Sequence, residues 1–370
     1  MGRSRIAGAL LATATIALPV VLGEIACRLA GYRGVEMYRP DGELGWTLEP
    51  RQRTVTRVGH LPVVVNEDGF RDDALERPKS RTTVRIFALG SSTTFGWGVG
   101  QHEMYHEVVE QMLNDSARAL GRSTRFEIVT AGVIGYNLWQ TAHYMRRIVQ
   151  RYQPDGFIVA YTFNDGWNRF GTLRSRQRKQ VLAGVRRKNV LRASALFNCL
   201  VDLRARRLWE RMGGGSIGDE SAVAQTADTG ATPVQLAAYR ATLDSMMALA
   251  RTAKLSLAFT VLAARGQRRA WPRQAAMAAA AAGHVSVLDL VPLLGAADAD
   301  SLYLPNDAVH PSRLGHAMIA RLLYARLCAA AMAAGAGELA AVYRAGCGHA
   351  GLARREGRVG AGRAGAVIDK

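Results

Sequence analysis

Five apolar runs of strand length recur along the chain: residues 84–89, 126–130, 157–163, 256–262 and 285–290. Between and after them lie stretches whose apolar positions return at helical spacing. In residues 105–120, Val109, Leu113 and Ala117 fall on one stripe. Residues 138–152, 233–253 and 313–332 read as further helices, and Pro154-Asp155 as the turn into the third run. Runs with little polar alternation, separated by helices, predict a parallel sheet covered on both faces. The first strand follows a polar, turn-rich stretch, residues 33–79, with one short strand signal at residues 61–65. This stretch is expected to pack on the domain edge. Residues 190–212 read as a basic helix, and the Gly-, Ser-, Asp- and Ala-rich residues 213–232 as a mobile loop.

The N-terminus changes the picture. Arg3 and Arg5 precede an apolar run over residues 6–23. Its length is about the minimum that crosses a bilayer as a helix. The flanking positive charge favours a cytoplasmic start. Glu24, close before Cys27, fits poorly with lipoprotein processing, and no A-x-A cleavage pattern ends the run. The expectation is an uncleaved anchor with the rest of the chain outside the cytoplasmic membrane. Cleavage as a signal segment is the alternative. The chain then divides into an anchor or signal segment (1–30), a lead-in (31–80), a main domain (81–335) and a Gly/Ala/Arg-rich tail (336–370) expected to be disordered.

The net charge of +18 on 370 residues asks for an anionic neighbour. Residues 168–212 hold 13 Lys or Arg against Asp202 and Glu210. No nucleic-acid motif accompanies them, so a basic helical face near a membrane is the preferred reading. Cys27, Cys199, Cys328 and Cys347 are scattered without a Cys-x-x-Cys, which excludes metal ribbons and thioredoxin-like chemistry. Cys328 and Cys347 could pair in an oxidising compartment, and free buried thiols are an equal reading.

Four short segments carry candidate chemistry, each just past a strand or before a helix, where open α/β sheets place ligands. Gly90-Ser91-Ser92-Thr93-Thr94 follows the first strand. Gly132-Val133-Ile134-Gly135 follows the second, and Thr162-Phe163-Asn164-Asp165 the third. Asp307-Ala308-Val309-His310 precedes the last helix. An Asp and a His three residues apart can share a loop, with the carboxylate orienting the imidazole toward a Ser. A Gly N–H and an Asn amide are neutral donors suited to a developing oxyanion.

This order of Ser, Gly, Asn and Asp-x-x-His resembles the SGNH hydrolases, also called the GDSL family, over residues 81–327. The lead-in Asn66-Glu67-Asp68-Gly69-Phe70-Arg71 is similar to one in membrane-anchored bacterial members. The resemblance implies a three-layer α/β/α sandwich with a mostly parallel, five-stranded, flavodoxin-like sheet. It also implies a nucleophile at Ser92, a triad with Asp307 and His310, and oxyanion donors at the Ser92 N–H, Gly135 and Asn164. No metal or organic cofactor is implied. Ser91 stands where the family has Asp, and Thr162 where it often has Gly. The implied activity is a serine esterase or acyl hydrolase acting on O-acyl esters of envelope glycans or lipids. A polysaccharide O-acetyltransferase, or a non-catalytic glycan-binding factor with a relict site, are the alternatives.

Competing motifs are weaker. His102-Glu103-Met104-Tyr105-His106 matches the H-E-x-x-H zinc pattern but lacks a third ligand in register, so buried or surface helix histidines are preferred. G-x-S-x-G is absent around Ser92, which excludes the α/β-hydrolase elbow. His316 has no Asp three residues before it.

Overall fold

The computed structural model describes residues 2–56, 61–160, 163–166, 170–211, 232–262, 271–283, 285–294, 300–305, 307, 309–332 and 342–347. Its centre is a sheet of five parallel strands: β5 (Thr83–Gly90), β6 (Arg125–Gly132), β7 (Gly156–Ala160), β8 (Ser256–Val261) and β9 (Ser286–Asp289). The short strands β1 (Tyr38–Asp41), β2 (Gly45–Leu48), β3 (Arg53–Val55) and β4 (Pro62–Val64) precede them as two antiparallel pairs. The order β6-β5-β7-β8-β9 makes β5 the strand from which the chain winds both ways. Such reversal opens a crevice at the carboxyl ends of the strands. The parallel, doubly covered sheet is the expected one. Phe87, Ile128, Ile158 and Val159 are wholly buried, as a sheet packed on both faces requires.

Helix α3 (Tyr105–Ala119) packs with α10 (Arg313–Met332). Helices α4 (Leu138–Arg151), α7 (Pro233–Thr252) and α8 (Trp271–Gly283) form a second group. Right-handed crossovers on either side of β5 send the two groups to opposite faces. A four-residue turn of helix, α2 (Ser92–Phe95), follows β5, and another, α9 (Val291–Leu294), follows β9.

Helix α1 (Gly2–Leu29) holds the apolar N-terminal run. Among the described residues no helix is long and apolar enough to cross a membrane. The side chains of residues 1–7 and 9–12, where the anchor reading partly rests, lie outside them. The basic stretch forms two helices rather than one, α5 (Ser175–Ala193) and α6 (Ala195–Arg211). Ser194 breaks them in extended conformation. Its Oγ donates to Glu24 Oε2 and accepts from Phe197 N–H. Of the loop expected at 213–232, all but Thr232 lies outside the described residues, and Thr232 caps α7.

Part of the tail is ordered, contrary to expectation. Cys328 of α10 and Cys347 form a disulfide. Tyr343 is fully buried, and Gly346 lies so close to Leu113 and Phe126 that a Cβ would stand 2.7 Å from each. A covalent link and an aromatic anchor hold a segment whose composition alone supplies no core. Residues 333–341 and 348–370 lie outside the described residues.

Edge strand β6 is closed by side chains. Asn114 Oδ1, Glu110 Oε2 and Asp72 Oδ2 accept from the N–H groups of Phe126, Ile128 and Thr130. Burial raises the carboxyls of Asp72, Glu107 and Glu110, against the backbone N–H groups that favour the charge of Asp72 and Glu110 and the Thr130 hydroxyl that favours that of Glu107. Asp73, Glu127 and Arg125 add smaller effects of both signs, and Glu110 reaches about 7. A carboxyl raised in the native state holds a proton that the unfolded chain has released. Stability therefore falls as pH rises from about 4.5 to about 7 for Glu110. Buried His106 and His316, lowered to about 3 by burial, act oppositely as pH rises to 6.5. The readout is thus the difference from Glu110→Gln, which keeps the acceptor for Ile128 N–H. The variant should gain melting temperature over wild type as pH rises from 5 to 8. An unchanged difference across that range refutes the assignment.

Candidate active site

Strand β5 ends in Gly90, and the chain turns through Ser91 into α2. A Cβ on Gly90 would lie 2.2 Å from Thr94 Oγ1, and one on Gly132 would lie 2.3 Å from Phe95 N. The two glycines, paired across β5 and β6, let α2 sit directly on the strand ends. Ser92 thus opens a helix whose first N–H groups have no acceptor within it.

Arg71 locks this turn from beneath. It is wholly buried; its Nη1 donates to the carbonyls of Phe95 (2.7 Å) and Gly96 (2.8 Å), and its Nη2 to Val99 (3.1 Å). Its guanidinium lies 4.9 Å from the Phe95 ring centroid. Desolvation lowers its pKa to about 10. The lead-in therefore supports the turn that carries Ser92 and does not merely cover an edge.

The loop before α10 delivers the histidine. His310 Nε2 lies 2.7 Å from Ser92 Oγ, and His310 Nδ1 lies 2.7 Å from Asp307 Oδ2. Asp307 Oδ1 accepts from the N–H groups of Val309 (2.8 Å) and His310 (2.9 Å), so one carboxylate shapes the loop and aims the ring. The His310 N–H also ties loop and residue together. Burial raises Asp307, but the His310 ring and these two N–H groups outweigh it and hold the carboxyl below its ordinary value. Ser92 Oγ, the His310 ring and the Asp307 carboxylate stand in one line within hydrogen-bond reach, His310 buried and the other two half-buried, an arrangement that suits a nucleophile, base and orienter.

The two neutral donors converge on the neighbouring serine. Gly135, at φ +83°, directs its N–H to Ser91 Oγ at 3.1 Å. Asn164 Nδ2 donates to the same oxygen at 2.5 Å and to Tyr136 O at 2.8 Å. The Ser91 hydroxyl marks the point at which both donors aim. A substrate oxygen must take over these hydrogen bonds to be stabilised there. The β1–β2 hairpin positions this loop. Trp46 Nε1 donates to Ile134 O (2.9 Å), Tyr136 O–H donates to Trp46 O (2.5 Å), and Gln140 Nε2 donates to Leu44 O (2.6 Å). Thr162 lies outside the described residues.

The structure thus brings Ser92, Asp307 and His310 together and places Gly135 and Asn164 one serine away. Arg71, Trp46 and the acceptor role of Ser91 were missed, though the Asn66–Arg71 string marks the first. The H-E-x-x-H string does not share one helix face. Met104 is extended and α3 starts at Tyr105, which separates His102 from His106. His106 is buried with its Nε2 2.8 Å from Thr130 Oγ1. His316, also buried, accepts from Tyr105 N–H through Nδ1.

A family model described as GDSL-like lipase/acylhydrolase matches residues 88–318. No curated protein sequence matches the chain. Similar solved structures include a lipase/acylhydrolase from Enterococcus faecalis, 14% identical over 65% of this chain and 93% of that one, with a TM-score of 0.38. A catalytic mutant of an acetylxylan esterase from Geobacillus stearothermophilus is 15% identical over 66% and 93%, with a TM-score of 0.41. Likenesses this distant carry no argument about substrate or individual residues.

Proposed function

The chain belongs to the GDSL-like lipase/acylhydrolase family, and on that premise we propose that it is a serine esterase that cleaves O-acyl esters of envelope glycans or lipids through an acyl-enzyme on Ser92. The observation that carries this reading is the line from Ser92 Oγ through the His310 ring to Asp307 Oδ2, with both hydrogen bonds at 2.7 Å. His310 takes the Ser92 proton as the hydroxyl attacks the ester carbonyl. The carbonyl oxygen becomes an oxyanion and accepts from Ser92 N–H, Gly135 N–H and the Asn164 amide. Collapse expels the alcohol, protonated by His310. Water, deprotonated by His310, then attacks the acyl-enzyme; the acid leaves as His310 returns the proton to Ser92 Oγ.

A cleft of about 570 Å³ lies between α4 and α7. Its walls join Leu138, Trp139, Val234 and Tyr239 to Asn137 and Gln235, a mostly apolar lining with a few hydrogen-bonding groups that suits an acyl chain or the apolar face of a sugar. It is lined by sequence neighbours of the two donors rather than by Ser92. Residues 6–23 are the proposed membrane anchor, with the catalytic domain outside the cytoplasmic membrane. The charge asymmetry of Arg3 and Arg5 supports that orientation.

A fluorophosphonate should label the purified protein, and an O-acetylated polysaccharide should yield free acetate. Acetate release without labelling would refute the acyl-enzyme. Labelling with acetate transferred to an added polysaccharide, in place of release to water, would replace hydrolase by acetyltransferase.

A further inference from the structure

Helices α1 and α6 lie side by side. A Cβ on Gly23 would meet Leu196 at 3.2 Å, and nine residues later Tyr32 O–H donates to Asp202 at 3.3 Å. The contacts advance together along both chains, so the helices run parallel. The first two-thirds of α1 therefore projects past Ser194, where α5 turns into α6. Glu24 fixes the exit by accepting from Ser194 Oγ (2.8 Å), Ala195 N–H (2.9 Å) and Leu196 N–H (2.8 Å). Arg28 adds a bond to Ala193 O.

The surface around this exit is amphipathic. On α1, Ile16, Leu18, Val20, Val21 and Leu22 are each more than half exposed. Val190, at the end of α5, is 73% exposed, and Leu191 beside it is also exposed. One turn earlier stand Arg186, Arg187 and Lys188, all exposed, with no carboxylate partner among the described residues. The acids of α5 and α6 are Asp202 and Glu210. Apolar side chains at the tip with cations just behind them suit a bilayer interface better than a soluble polyanion. The apolar part enters the acyl boundary while the cations meet headgroup phosphates.

We propose that the α5–α6 corner is a docking surface for anionic lipid headgroups. It rests on the reading of α1 as an anchor and adds a second, electrostatic contact that this reading does not require. Two contacts, one apolar and one ionic, would also fix the rotation of the domain about α1 and so the height of the catalytic crevice above the lipid.

The test is flotation of the full chain with vesicles of phosphatidylcholine alone and of phosphatidylcholine mixed with phosphatidylglycerol. Wild type should bind the mixed vesicles more tightly, and high salt should erase that gain. At roughly fivefold per cation, the combined change Arg186→Gln, Arg187→Gln and Lys188→Gln should weaken binding to mixed vesicles about a hundredfold. Binding to phosphatidylcholine should not change, and an unaltered melting temperature certifies the fold. Equal affinity of wild type and variant for mixed vesicles overturns the corner. Binding to soluble polygalacturonate as tight as to mixed vesicles, and lost in the same variant, also overturns it. Loss of phosphatidylcholine binding with the phosphatidylglycerol gain intact removes the anchor and leaves the corner standing.

Discussion

Ser92→Ala is expected to abolish ester turnover and fluorophosphonate labelling together. Among the described residues no other hydroxyl shares its place: Ser91 Oγ accepts from Gly135 and Asn164, whereas Ser92 Oγ faces His310. His310→Ala leaves the hydroxyl without a base, so turnover falls by several orders of magnitude and labelling slows sharply. Asp307→Asn is the informative member. Its amide oxygen can still accept from Val309 and His310 N–H, so the loop keeps its shape. Its NH₂ then faces His310 Nδ1 and favours the tautomer with the proton on Nε2, which cannot accept from Ser92. The expected loss is about 10⁴-fold, with Ser92→Ala and His310→Ala at or beyond it. Steady-state rates and labelling half-times on folded, purified variants measure the series. Wild-type activity in Ser92→Ala would end the mechanism. An intact rate in Asp307→Asn would mean that loop geometry alone orients His310.

Asn164→Ala should lower kcat by roughly 10²–10³ while KM changes little, because the amide acts on charge that develops in the transition state. The resting arrangement sharpens this expectation. Both Asn164 N–H groups are already engaged, with Ser91 Oγ and Tyr136 O, so the ground-state substrate gains little from the amide. The growing negative charge of the oxyanion is what draws it from a neutral hydroxyl. A raised KM with unchanged kcat would make Asn164 a substrate-binding residue instead.

What was legible in the chain was local. The strands announce themselves as apolar runs, and Asp307 and His310 lie on one loop three residues apart. What was hidden depended on contacts between distant segments. Ser91 reads as a neutral stand-in for an Asp; its partners lie at Gly135 and Asn164, which only the sheet brings near. The apolar run of the third strand continues to residue 163, but β7 ends at Ala160 and Phe163–Gly166 is a 3-10 turn that carries Asn164. The break at Ser194 falls within one basic stretch and is set by Glu24, which lies 170 residues away. The H-E-x-x-H string failed for a local reason, the extended backbone at Met104.

Arg71 bears on how this enzyme can be exchanged between proteins. The segment shared with the family begins at residue 88, yet the turn that carries Ser92 is gripped by Arg71 and the Gly135 loop by Trp46. A graft cut at the shared boundary would carry the reacting groups and leave their braces behind. The heritable unit is therefore longer than the recognisable one. The polar stretch before the first sheet strand must travel with the catalytic motifs, and change in either half is constrained by the other.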